Sequence, residues 1–203
     1  MKIENDKYYT PKDLSKLIID KTFKILEKED ISEVVEPSAG NGSFSTQING
    51  CIAYDLVPEH ESIEQADFLE LNLGYKKGRL FIGNPPFGVH NKMIHEFYDK
   101  CCDWGDYIAF ILPISCYKND IKLYKFDLIY SEDLGLKHYS DRDLHCCFNV
   151  YKRPKDGKFN TKPNYELNEI TIIEERKVNI KQGQIKIYQI IFVILCAIGE
   201  MVV

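Results

Sequence analysis

Residues 79–88 read RLFIGNPPFG. A strand-length run, Arg79 to Gly83, apolar after its first residue, is stopped by Asn84-Pro85-Pro86-Phe87. Proline fixes φ at about −65° and has no N–H to donate. Pro85 also pushes Asn84 into an extended conformation. The result is a stiff segment with carbonyl acceptors and no competing donors. The Asn84 amide oxygen and the Pro85 carbonyl can converge on one NH₂ group, and Phe87 offers a face on which a planar ring can stack. A proline turn that caps a strand is the plainer reading, and the neighbouring segments decide between the two.

Outward from this strand, the chain alternates short apolar runs with helical patterns. Thr10-Pro11-Lys12-Asp13 reads as a helix start, with Thr10 as N-cap, Pro11 in the first turn and Asp13 as a capping-box acid. Leu14, Leu17, Ile18 and Ile25 then give the helix one apolar face. Strands are expected over 31–36, 51–56, 79–83 and 107–114, with helices over 43–48 and 91–104. Two further strands are expected over 136–139 and 145–151. Alternation of this kind predicts an α/β, Rossmann-like fold, a mostly parallel sheet with helices on both faces. In such sheets the ligand site lies at the carboxyl ends of the strands. Four polar loops fall in that phase: 36–42, Asp55, Asp67 and 84–87. One such loop is common by chance, and four in phase are not.

Each loop suggests a chemistry. Glu36-Pro37-Ser38-Ala39-Gly40-Asn41-Gly42 has glycines for close backbone approach but lacks the G-x-G-x-x-G spacing of a dinucleotide fold. Its leading carboxylate would repel a pyrophosphate and suits a cofactor with a cationic amine. Asp55, at the end of the second strand, can accept hydrogen bonds from ribose hydroxyls. Asp67-Phe68 can bracket an adenine, although Phe68 suits a core position equally well.

Taken together these residues resemble the class I S-adenosylmethionine-dependent methyltransferases of the N6-adenine type. Asn84-Pro85-Pro86-Phe87 is similar to the NPP(Y/F) motif of that family, 36–42 to its cofactor loop, and Tyr9-Thr10-Pro11 to its N-terminal motif. HCCFNVYKR at 145–153 is similar to its late antiparallel strand. The resemblance covers about residues 8–153 and implies a seven-stranded sheet with S-adenosylmethionine as cofactor. It implies that Tyr9, Thr10 and Pro11 hold the cofactor carboxylate end. Glu36, Pro37, Ala39, Gly40 and Gly42 would line the methionine part. Asp55 and Leu56 would take the ribose and adenine side, and Asp67 and Phe68 the cofactor adenine. Asn84, which also borders the cofactor, would act with Pro85, Pro86 and Phe87 on the target base. No metal is implied.

The function so implied is methylation of adenine N6 in DNA. Adenine-N6 methylation of RNA, glutamine-N5 methylation of protein, and a cofactor-binding subunit that needs a partner are the alternatives. The expected domains are a catalytic domain over 1–153 and a short extension over 154–203 without a full target-recognition domain. A protein partner or homodimer is therefore also expected. The tract 151–162 and the group Lys76, Lys77 and Arg79 are candidates to track phosphates.

Composition sets looser bounds. The 203 residues carry a net charge of −5, mildly against a strong nucleic-acid binder, whose footprint is usually basic. Seven cysteines without C-x-x-C spacing predict neither a disulfide framework nor a zinc site. With no signal-peptide pattern, free thiols and a cytoplasmic location are expected. The apolar run at 190–199 is too short to span a bilayer, which takes about 20 residues. It is expected to be a buried strand or a partner surface.

Overall fold

A computed structural model describes residues 9–119, 121–139, 142–163, 171–181 and 184–194. The chain divides into two compact units, residues 1–163 and 164–203. In the first, helix α1 (Lys12–Ile25) precedes strands β1 (Glu33–Glu36), β2 (Ile52–Asp55), β3 (Glu64–Gln65) and β4 (Arg79–Gly83). Helix α2 (Lys92–Trp104), β5 (Tyr107–Pro113), β6 (Asp127–Tyr139) and β7 (Arg142–Lys152) follow. The strands form one sheet in the order β3-β2-β1-β4-β5-β7-β6, in which β7 runs antiparallel to both its neighbours.

Both faces of this sheet are covered because its central strands are apolar on both sides. Leu80, Ile82, Ala109, Ile111, Phe148 and Val150 pack with Leu14, Ile18 and Ile19 of α1. Their sequence neighbours Phe81, Ile108, Phe110, Leu112 and Cys147 pack with Ile94, Phe97, Tyr98 and Cys101 of α2. The period of two along a strand sends successive side chains to opposite faces. Phe81, Phe110 and Phe148 are wholly buried, each contributing about 2–3 kcal/mol of hydrophobic stabilisation.

Several local expectations are corrected. Pro11, not Thr10, occupies the N-cap of α1, with ψ 142° and no side-chain cap hydrogen bond, so no capping box forms around Asp13. Thr10 is buried, and its polar groups are engaged elsewhere. Its hydroxyl accepts from Asn84 Nδ2 (3.3 Å), and its carbonyl accepts from Ser43 Oγ (2.8 Å). The helix expected over 43–48 is a single 3₁₀ turn, Ser45–Gln47. Strands β6 and β7 are much longer than their apolar cores suggest. Register shifts between Leu128 and Tyr130 and between Asp133 and Gly135 break the alternation that would have shown β6 in the sequence.

Residues 154–163, expected to open the extension, pack on the first unit. Asn160 N–H donates to the Lys125 carbonyl, and the Phe159 ring lies against Arg153. In the second unit β8 (Thr171–Lys181) and β9 (Gln184–Ile194) pair antiparallel. Residues 190–194 of the apolar run lie in β9, and 195–199 fall outside the described residues. No described helix is long and apolar enough to cross a membrane.

Candidate active site

Strand β1 lies between β2 and β4, so the chain leaves it in one direction towards β2 and returns on the other side as β4. Order reversal of this kind opens a crevice at the carboxyl ends of the two strands. A cavity of about 410 Å³ lies there, within the usual range for ligand clefts. Its walls bring together Tyr9, Thr10, Glu36, Pro37, Ala39 and Gly40 from the first segments. Asp55, Leu56, Asp67 and Phe68 come from the middle, and Asn84, Pro85 and Pro86 from the end of β4. Pro11, Gly42 and Phe87 are outside the lining.

Glu36 ends β1 with only 2% of its surface exposed. Burial pushes its carboxyl from 4.5 up to about 8, hydrogen bonds from Ser45 oppose the shift, and the Asp55 charge adds to it. Ser45 N–H donates to Oε2 at 2.7 Å. A Cβ on Gly83 would lie 3.4 Å from Glu36 Cγ, so β4 passes close to this carboxyl. A buried acid in a cavity wall is poised to lose its proton to solvent when a cation enters.

Asp55 ties the two Gly- and Pro-flanked loops together. Gly40 N–H donates to Oδ2 and Val57 N–H to Oδ1, both at 2.8 Å. Two further backbone bonds, Ala39 N–H to the Tyr54 carbonyl (2.8 Å) and Glu59 N–H to the Gly40 carbonyl (3.0 Å), stitch the same seam. The sequence suggested that Asp55 addresses ribose. In the structure both of its carboxylate oxygens also fix the loop. Gly40 has φ +53°, and a Cβ there would sit 3.2 Å from the Tyr9 ring, so the ring lies flat against the loop backbone. The Tyr9 hydroxyl donates to Glu59, and burial, followed by that acid, pushes it up to about 12. Gly42, expected to line the cofactor, serves the turn instead. Its φ is +77°, and a Cβ would come within 2.7 Å of Thr46 Cγ2.

Of the two readings the sequence offered for Phe68, the structure shows the core one, with an edge on the cavity. Its ring stacks on Phe97 at 5.4 Å and meets Phe81 and Trp104 edge-on, leaving 2% exposed. It is a core residue that contributes wall to the cavity and no open face for an adenine. Asp67 stays in the lining, its Oδ1 accepting from Leu69 N–H at 2.9 Å.

At the end of β4, Asn84 Nδ2 donates to Thr10 Oγ1 (3.3 Å), and the Asn84 carbonyl accepts from Ser38 Oγ (3.4 Å). Phe87 is half-buried against both core clusters. Gly88, at φ +67°, lets the chain turn closely past Met93 into α2.

No protein-family model matches the chain, and no curated protein matches it by sequence. Solved structures do. A Pyrococcus horikoshii protein provisionally assigned as an RNA methyltransferase superposes with a TM-score of 0.61 at 15% identity, over 75% of this chain and 89% of that one. The 23S rRNA methyltransferase ErmE gives 0.52 at 14% identity, over 73% and 70%. A Thermoplasma acidophilum protein gives 0.52 at 16% identity, over 68% and 86%. The chain has the class I methyltransferase fold.

Within this methyltransferase fold the cavity also takes in residues that sequence reasoning missed. Met93 and Phe97 line it from α2, on the helix side that also carries Ile94, Tyr98 and Cys101. Ser38, Asn41 and Ser43 enter because the 36–44 loop wraps the cavity as a whole. Of the basic segments expected to track phosphates, Lys152, Arg153, Lys76 and Arg79 are at the other end of the sheet. Lys152 pairs in register with Tyr107, the first residue of β5, and bonds Glu29 at 2.5 Å. Arg153 is held by Asp106 at 3.0 Å and by the Gly105 carbonyl. Arg79 and Lys76 both bind Glu33, at 2.5 and 2.7 Å. These cations are neutralised structural ties at the amino ends of the parallel strands, away from the cavity.

Proposed function

We propose that residues 1–163 form the catalytic unit of an S-adenosylmethionine-dependent methyltransferase acting on adenine N6 in nucleic acid. One observation carries the reading. A single cavity at the topological switch point gathers a buried carboxyl, a loop-fixing aspartate and the Asn84-Pro85 acceptors. The donor set fits the cofactor, with Glu36 for its ammonium, Asp55 and Asp67 for its hydroxyls and amine, and apolar Leu56, Val57 and Phe44 for its ring. Bound there, S-adenosylmethionine supplies an electrophilic methyl group.

The chain's own residues supply the rest. The N6 lone pair of adenine is delocalised into the ring, so the amine is a poor nucleophile. The Asn84 amide oxygen and the Pro85 carbonyl accept its two hydrogens and draw the nitrogen towards tetrahedral geometry, which localises the lone pair. These bonds strengthen as positive charge develops, so they favour the transition state over the ground state. The proline pair keeps both acceptors in place before the target arrives. In a duplex the target must first leave the stack, at a cost of a few kcal/mol. Two of the structural neighbours are described as RNA methyltransferases, which supports considering RNA as well as DNA as the target.

Incubation with labelled S-adenosylmethionine and RNA, duplex DNA, single-stranded DNA or a protein extract tests this. Label at N6 of adenine in RNA or DNA is the expected result. Label in protein alone, or in nothing, overturns it. Asp55→Ala is expected to weaken S-adenosylmethionine binding by about tenfold or more, since it frees the Gly40 and Val57 N–H groups and loosens the loop. Titration calorimetry reads this directly, and an unchanged affinity removes Asp55 from the site.

A further inference from the structure

Among the described residues, three that are not glycine hold a left-handed φ: His90 (+53°), Asn91 (+63°) and Lys118 (+48°). All three sit on loops that leave the carboxyl ends of two adjacent strands, β4 and β5. Backbone strain of this kind costs about 1–3 kcal/mol per residue and persists only where the surroundings enforce it. Here they do. Asn149 on β7, 0% exposed, donates Nδ2 to the Cys116 carbonyl at 2.8 Å. Its Oδ1 accepts from Ser131 Oγ at 2.7 Å, and Ser131 Oγ in turn accepts from Lys118 N–H at 2.9 Å. The buried Asn149 and the half-buried Ser131 thus pin one exposed lysine. Asn91 Nδ2 donates to Ser115 Oγ at 3.4 Å, joining this loop to the one that carries the Asn84-Pro85-Pro86-Phe87 motif.

The pinned loop presents an aromatic ring and a cation as a unit. Lys118 Nζ lies 5.2 Å from the centre of the half-buried Tyr117 ring. Charge is divided accordingly. The cofactor side of the cavity carries Glu36, Asp55 and Asp67. The β4 and β5 loops carry His90, Lys118 and Lys122, and Lys122 lies near enough to His95 on α2 to add to the lowering that burial imposes on it. Of the three carboxylates on α2, Glu96 pairs with Lys92 at 3.5 Å and Asp99 with Lys125 at 2.9 Å, and the Asp103 charge also acts on Lys125.

We infer that residues 115–118, outside the cavity lining but tied to the motif loop through Asn91 and Ser115, extend the target side of the site, where Lys118, which also borders a second cavity with Asp127 and Asn160, takes a backbone phosphate of a polynucleotide and Tyr117 stacks on a base of the same strand. This rests on the adenine reading above and narrows it. The substrate is a nucleotide within a strand, and neither a free nucleoside nor a glutamine side chain would use this extension.

The test is binding of fluorescently labelled single-stranded RNA and DNA oligonucleotides of one adenine-containing sequence, titrated at several KCl concentrations. Lys118→Gln removes the charge, and Lys118→Gly removes the charge and relieves the left-handed strain, so misfolding cannot explain a shared result. Both variants are expected to bind about fivefold to tenfold more weakly than wild type, with the slope of log K against log salt shallower by about 0.7 to 1. Tyr117→Leu, which keeps apolar packing, is expected to lose about tenfold with its salt slope unchanged. Equal loss on both oligonucleotides assigns the contact to phosphate, whereas a loss on RNA alone assigns it to the ribose and overturns the phosphate contact. Wild-type affinity and slope in both lysine variants also overturn it. Because binding is read without the cofactor, it stands apart from methyl transfer. Adenine methylation with unaltered salt slopes sinks only this extension, and altered slopes in a chain that transfers no methyl group sink only the adenine reading.

Discussion

Asn84→Ala is expected to lower methyl transfer by about 10²–10³-fold while S-adenosylmethionine affinity stays within about threefold. The asymmetry follows from when the amide acts. Its oxygen accepts from the target amine, and that bond gains strength only as the nitrogen becomes cationic, so its loss falls on the rate and not on cofactor binding. Asn84 has a second task, since its Nδ2 donates to Thr10 Oγ1 across the cavity. Alanine removes this tie as well, and a small decline in cofactor affinity is therefore included in the expectation. Asn84→Asp separates the two tasks. A carboxylate still accepts from the target, and Thr10 can donate to it in place of receiving, so Asp is expected to retain more transfer than Ala. Single-turnover assays with labelled donor, at cofactor concentrations that saturate both proteins, measure the effect. Turnover of Asn84→Ala at the wild-type rate would sink the mechanism, because among the described residues no other side-chain amide directly follows β4.

The sheet was legible where its strands are buried on both faces. Residues 80–83 and 107–113 are apolar runs of strand length, as strands buried on both faces should be. The site was legible for a related reason. Each strand end places polar residues at one edge of the sheet, so the phase of the loops carried the cavity with it. What the sequence hid depends on pairing between distant segments. Lys152 and Arg153 look like phosphate ligands until register sets them beside the start of β5, next to Glu29 and Asp106. Phe68 looks like a stacking face until Phe97 and Trp104 close over it. Thr10 has the features of a helix cap, yet burial beside Asn84 and Ser43 gives its oxygen atoms other partners and leaves Pro11 at the N-cap. The strain at Lys118 is invisible in sequence altogether, since nothing local favours a left-handed lysine; Ser131 and Asn149 impose it from two other strands.

The second large effect concerns Glu36 and pH. In the folded chain its carboxyl is raised to about 8, against 4.5 without the fold. Between those values the folded protein holds a proton that the unfolded chain has released. Stability from this group is therefore full below about pH 4.5 and falls by about 1.4 kcal/mol per pH unit until the folded carboxyl ionises near pH 8. Glu36→Gln keeps an acceptor for Ser45 N–H and cannot ionise. Its urea midpoint is expected to fall less than that of wild type between about pH 5.5 and pH 8. Ligand binding follows the opposite course. A cation seated beside Glu36 favours the carboxylate, so binding below pH 8 expels a proton, and affinity rises by up to about tenfold per pH unit towards pH 8. Calorimetry at pH 7 in two buffers of different ionisation enthalpy is expected to show close to one proton released per S-adenosylmethionine bound by wild type. None is expected in Glu36→Gln, whose affinity should be lower at pH 8 and independent of pH. Equal proton release in both proteins would remove Glu36 from the cofactor's ammonium and leave it as a buried acid that only shapes the end of β1.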